Sequence, residues 1–194
     1  MYAKYAPHTQ CMSTAKSCTM TPENTIGFDY TKTGQGAPLI FVHGWPFHMG
    51  TYRKVIPTLE QKFTCYNLNS LGMSNDGYIP SSMDMDFADH ADRILAFANS
   101  MNLDKFSLLA HNTGGTFARI VAAKNPDRIH KLVLLNTEIP FHRPPYIPEY
   151  QRVLSKKRNG VFLKLLVRSK TYRHSARGYG GCFHDKSQIE GEFR

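Results

Sequence analysis

Phe106-Ser107-Leu108-Leu109-Ala110-His111-Asn112-Thr113-Gly114-Gly115-Thr116-Phe117-Ala118 is the stretch whose reading decides the fold. It opens as an apolar run, passes through an abrupt turn of small residues and continues as a helix former. A short continuous apolar run suits a parallel strand buried on both faces. A residue on such a strand-to-helix turn is presented on a tight, strained backbone. Only small residues two before and two after it let strand and helix approach. Ala110 and Gly114 hold those positions around Asn112, with His111, Thr113 and Gly115 between and beyond. The helix aims its first N–H groups at the same point, which favours negative charge there. This pattern is that of a nucleophile elbow, and the Thr113 N–H is expected to be one donor to a developing oxyanion.

Upstream, Pro38 to Val42 is a second continuous apolar run, ending at His43-Gly44-Trp45-Pro46. The loop after that strand should supply the second oxyanion donor, and the Trp45 N–H is the candidate. The rest alternates in the same way. Ala15 to Thr33 reads as strand, turn and strand, with Ile26, Phe28 and Tyr30 at the period of a half-buried strand. Thr51 to Gln61 reads as a helix, Phe63 to Leu68 as a strand and Ser70 to Pro80 as loop. Met83 to Met101 carries apolar residues at helical spacing, with His90 expected on its surface. Lys105 to Ala110, Gly114 to Lys124 and Ile129 to Leu135 give strand, helix and strand, with Asn125-Pro126 closing the helix. Strands alternating with helices imply an α/β, doubly wound, mostly parallel sheet, with the opening strand pair as an antiparallel edge.

These elements divide the chain into an irregular lead-in (1–14), a six-strand core (15–141) and a basic, helical, lid-like segment (142–194). Residues 1–142 hold 12 Lys/Arg against 11 Asp/Glu, whereas residues 143–194 hold 12 against 4. A basic tail can mark nucleic-acid binding. No nucleic-acid motif accompanies this one, and it reads as a solvated lid. Cys11, Cys18, Cys65 and Cys182 show neither CxxC nor zinc-finger spacing, so no metal and no cofactor is expected. No run approaches the roughly 20 apolar residues of a membrane span. The N-terminus lacks a signal-type apolar region. A cytoplasmic protein is the expectation.

In this order and spacing, the motifs resemble the α/β-hydrolase superfamily, in its epoxide hydrolase and haloalkane dehalogenase branch. The HG-x-P element is His43-Gly44-Trp45-Pro46, and Asn67-Leu68-Asn69-Ser70-Leu71-Gly72-Met73-Ser74 is similar to the family's D-L-x-G-x-G-x-S. The elbow is His111-Asn112-Thr113-Gly114-Gly115. The resemblance implies hydrolysis of small organic substrates at epoxide, carbon–halogen or ester bonds.

It also exposes departures. Relatives carry Ser or Asp where this chain has Asn112. A carboxylate attacks directly and a serine hydroxyl can be activated by a histidine, but a neutral carboxamide does neither well. Asn112 therefore either orients a ligand or water, hydrolyses slowly to Asp, or marks a nucleophile lost without replacement. The last reading is preferred. The family's acid and histidine follow later strands, so the resemblance implies a chain shortened before them. Among the nine histidines, His43 and His111 read as packed motif residues and His142, His174 and His184 as parts of the lid. Shortening would leave the Ile129–Leu135 strand as an exposed edge able to self-associate. A non-catalytic ligand-binding or interaction module on the same fold is the alternative.

Overall fold

The computed structural model describes residues 29–45, 47–70, 86–139, 152, 165–166, 168–181, 184–187 and 189. The expected first strand from Ala15, Pro46, the 71–80 loop and the proline-rich stretch after Ile139 lie outside the described residues. The chain divides into two compact units, Met1–Glu138 and Ile139–Arg194.

The first unit is built on a five-stranded sheet of order β1-β3-β2-β4-β5. Its strands are β1 (Asp29–Thr33), β2 (Ala37–Val42), β3 (Phe63–Asn69), β4 (Phe106–His111) and β5 (Ile129–Leu135). Four run parallel, and β1 pairs antiparallel with β3 at one edge. The sheet is thus mostly parallel with an antiparallel edge. The antiparallel partner of β1 is β3 rather than its neighbour in sequence.

Helices cover both faces. On one face, α2 (Phe87–Ser100) and α3 (Thr113–Lys124) pack Ile94, Phe97, Phe117 and Val121 onto Ile40, Val42, Leu68 and Leu108. On the other, Tyr52 and Ile56 cover Leu39, Phe41, Cys65 and Leu109. Alternate residues of β2 therefore serve opposite cores, as the two-residue period of a strand requires. This explains why the strand reads as one unbroken apolar run.

Two helical expectations are corrected. Thr51 to Gln61 is not one helix. It splits into a 3₁₀ turn, Met49–Tyr52, and a single-turn helix α1, Ile56–Leu59. Pro57 sits in the first turn of α1, where its missing N–H costs nothing, but its ring excludes a helix running through from the residues before it. His90 is not on the surface of α2. It is buried, with its ring stacked on Phe117 at a centroid distance of 4.5 Å. Its position four residues before Ile94 puts it on the buried stripe. The N-terminus of α2 is capped by Asp86, whose carboxylate accepts the Asp89 N–H at 2.7 Å.

In the second unit, α4 (Lys170–His174) is followed by a 3₁₀ turn at Tyr179–Gly181. Ser169 caps α4 by accepting the Tyr172 N–H. Among the described residues no helix is long and apolar enough to cross a membrane.

Candidate functional site

β2 and β4 are neighbours in register, with Val42 beside Ala110. The chain leaves β2 toward the face carrying α1 and leaves β4 toward the face carrying α3. Their carboxyl ends therefore mark the point where the winding reverses, the place where open α/β sheets leave a crevice for ligands. His43-Gly44-Trp45 emerges from one strand there and His111-Asn112-Thr113 from the other.

Asn112 holds φ 57° and ψ −134° between β4 and α3. A positive φ at a residue bearing a Cβ costs on the order of 1–3 kcal/mol and persists only where surroundings enforce it. Several hydrogen bonds do so here. The Asn112 N–H donates to the Leu135 carbonyl at 3.3 Å, and its carbonyl accepts from Gly115 N–H at 3.0 Å. The Thr137 hydroxyl donates to the same carbonyl at 2.9 Å. Glycines make the room. A Cβ at Gly114 would lie 2.5 Å from the Val42 carbonyl oxygen, and one at Gly44 would lie 2.5 Å from Asn112 Oδ1. Gly115 faces Thr137 with no space for a side chain.

The side chain of Asn112 folds back on the helix it precedes. Its Oδ1 accepts the Thr113 N–H at 2.7 Å. The Thr113 hydroxyl in turn accepts the Trp45 N–H at 2.8 Å. The two main-chain donors singled out in the sequence thus each carry an internal acceptor, Asn112 Oδ1 for Thr113 and Thr113 Oγ1 for Trp45. Trp45 itself is 52% exposed, so its indole does not fill the interior.

The two motif histidines are packed. His43 is fully buried. Its Nδ1 donates to the Gly44 carbonyl at 3.1 Å and its Nε2 accepts the Ser70 N–H at 2.9 Å. The Asn69 carboxamide lies 3.1 Å from Nε2. Burial lowers the His43 pKa below its ordinary value, against the opposing pull of the Gly44 carbonyl and the Asn69 carboxamide oxygen, which favour a protonated ring. His43 therefore ties the β2 and β3 loops together as a neutral ring. His111 is also held low by burial. Its ring meets the Phe47 edge at 5.2 Å, and its Nδ1 has no hydrogen-bond partner among the described residues. Among the described residues no group of three or more His, Cys, Asp or Glu is placed to hold a metal.

Sequence reasoning missed Thr137 and Tyr52. Thr137 fixes the elbow carbonyl, and the buried Tyr52 hydroxyl donates to the Val42 carbonyl at 2.8 Å, pinning the end of β2. Neither belongs to a local motif. Both arrive from the far side of a turn.

The sequence profile of the alpha/beta hydrolase fold family matches residues 37–173. The chain is 32% identical over 121 residues to a cis-3-alkyl-4-alkyloxetan-2-one decarboxylase of Shewanella oneidensis, covering 61% of this chain and 38% of that one. It is 31% identical over 108 residues to haloalkane dehalogenase 2 of Mycobacterium tuberculosis, covering 56% and 37%. A solved epoxide hydrolase without ligand superposes with a TM-score of 0.55 at 25% identity, covering 66% of this chain and 46% of that one. The chain spans about two fifths of the length of the curated relatives it matches.

Proposed function

Because this chain belongs to the α/β-hydrolase fold family, we propose that it descends from hydrolases of small organic substrates and that, with Asn112 intact, it does not turn them over. The substrate class meant is epoxides, organohalides or small esters. The observation that carries this reading is the Asn112 carboxamide, which stands at the elbow with its oxygen on the Thr113 N–H. Covalent catalysis at an elbow needs a group that attacks and free donors for the oxyanion that forms. A carboxamide is a poor nucleophile. Its own oxygen occupies one donor, and Thr113 Oγ1 occupies the other. On this reading the Thr113 and Trp45 N–H groups are a former oxyanion hole, and residues 142–194 correspond to the lid of the relatives.

Freshly purified protein, verified by mass as the Asn112 form, should give no turnover above blank on epoxides, haloalkanes, haloacids and p-nitrophenyl esters. Robust turnover that disappears in Asn112→Ala would overturn the proposal.

A second reading, a ligand-binding module, is favoured by one observation. The elbow framework keeps its hydrogen bonds although its side chain is not a nucleophile. A thermal shift with a small organic ligand and no turnover would select it.

A further inference from the structure

Three properties of Asn112 bear on its chemistry. The first is its ψ of −134°. Cβ stands a third of a turn from N around Cα, so at this ψ the Cα–Cβ and C–N(Thr113) bonds are nearly eclipsed. The side chain and the next main-chain nitrogen then lie on one side. The second is contact. Asn112 Oδ1 is 2.7 Å from Thr113 N. A single point, the Cβ position built on Gly44, lies 2.5 Å from Oδ1, 2.6 Å from Asn112 Cβ and 2.6 Å from Thr113 N. Cγ is bonded to Cβ and carries Oδ1, so it is held beside that nitrogen. The third is restraint. The Asn112 carbonyl is fixed by Gly115 and Thr137, and its N–H by Leu135.

We propose that Asn112 is a site of spontaneous deamidation through a cyclic imide formed with the main-chain nitrogen of Thr113. In a flexible Asn-Thr segment this closure is slow, because the eclipsed ψ is seldom visited and the β-branched threonine crowds the nitrogen. The fold removes the first obstacle by supplying the ring-closing geometry in its ground state, as orientation effects do in enzymes. The field at the start of α3 favours the negative charge that develops on the nitrogen and then resides on the product carboxylate.

The steps balance with water alone. Hydroxide from solvent takes the Thr113 amide proton, and the nitrogen lone pair forms a bond to Cγ. The Cγ–Nδ2 bond breaks, and Nδ2 leaves as ammonia after taking a proton from solvent. Water then adds to one imide carbonyl and the C–N bond there breaks. Opening at Cγ yields aspartate on an intact main chain, and opening at the main-chain carbon yields isoaspartate. The net change is one water in and one ammonia out. Asn112 is only half-buried, so water reaches it. The aspartate product would put a carboxylate at the elbow. This inference does not rest on the proposed function, since it needs only Asn112 and Thr113.

The test ages the full chain in mildly alkaline buffer and follows the tryptic peptide Phe106–Arg119, in which Asn112 is the sole carboxamide side chain. The same chain in concentrated urea and a synthetic peptide of the same sequence serve as references. The native chain should convert at least about tenfold faster than either. Conversion should pass through an ammonia-loss species, take up heavy oxygen from labelled water, accelerate with rising pH and be absent from Asn112→Gln. A native rate no greater than the urea or peptide rate would overturn the proposal, as would acid formed without the imide. The readout is mass, so it is decided separately from whether any form of the protein turns substrate over.

Discussion

At residue 112 the backbone conformation and the side chain can be separated by substitution. The φ of 57° charges a conformational cost to any residue with a Cβ, while Oδ1 returns part of it by accepting the Thr113 N–H. Asn112→Ala keeps the cost and loses the cap, so it should destabilise by about 1 kcal/mol. Asn112→Gly loses the cap but relieves the conformation, so it should be more stable than Asn112→Ala in urea melts. Alanine equal to or better than glycine would show that the elbow is not strained. Thr113→Val tests the other half of the arrangement. It removes the acceptor of the Trp45 N–H while keeping shape, so the Trp45 amide should exchange its hydrogen faster with the amides of β2 and β4 unchanged. Unchanged exchange at Trp45 would mean that its bond to Thr113 is not formed in solution. The sequence picks out residues 112, 113 and 45 as candidates because small residues and strand ends mark an elbow. It could not reveal that their donors are already engaged, since that depends on two side-chain rotamers and on how closely Gly44 lets the β2 loop approach.

Among the elements, the buried strands were the most legible. β2 and β4 lie within a residue of their expected limits, because a run buried on both faces is almost wholly apolar. β3 and β5 do so as well, although β3 carries Asn67 and Asn69 and β5 is partly exposed along its length. The 49–61 region was less so, since its composition suits a helix and a single proline divides it. His90 was misread because a histidine looks polar in a pattern, although its spacing to Ile94 places it inward. β5 gives the element-scale prediction. Its inner residues Leu132 and Leu134 pack against the core beneath α2 and α3. Val133 and Leu135 point to the other face and are each 41% exposed. The outer edge of β5 has no strand partner among the described residues. Exposed apolar side chains beside unpaired strand groups invite association. Light scattering should show concentration-dependent oligomers for the native sequence and a shift toward monomer for Val133→Lys, since an edge lysine opposes pairing. A native chain that stays monomeric at all concentrations would remove the idea.

For the whole molecule, three histidines couple the fold to pH in one direction. His43, His90 and His111 all have pKa values lowered chiefly by burial, with Arg93 adding to the effect at His90 and Asp89 and Asp86 opposing it. In the unfolded chain each would take a proton near pH 6.5. Below that pH the unfolded state therefore binds more protons than the folded one, and stability falls as pH falls. The loss runs from 6.5 down to the lowered folded values, and each fully neutral histidine contributes a slope of up to about 1.4 kcal/mol per pH unit. Buried acids act at the other end. Cys65 is raised to about 11 by burial and by Glu60, and Tyr52 is raised by burial. Both stay protonated in the fold while the unfolded chain loses their protons, so stability also falls as pH rises above the Cys65 reference value of 9.0. Urea midpoints should form a plateau from about neutral to mildly alkaline pH, with a steeper descent on the acid side because three groups act there. His90→Phe discriminates the cause, since a phenyl ring can keep the stack on Phe117 and cannot take a proton. The acid limb should become shallower by the share of one histidine while the alkaline limb is unmoved. An acid limb of unchanged slope in His90→Phe would show that His90 takes up its proton without unfolding the protein.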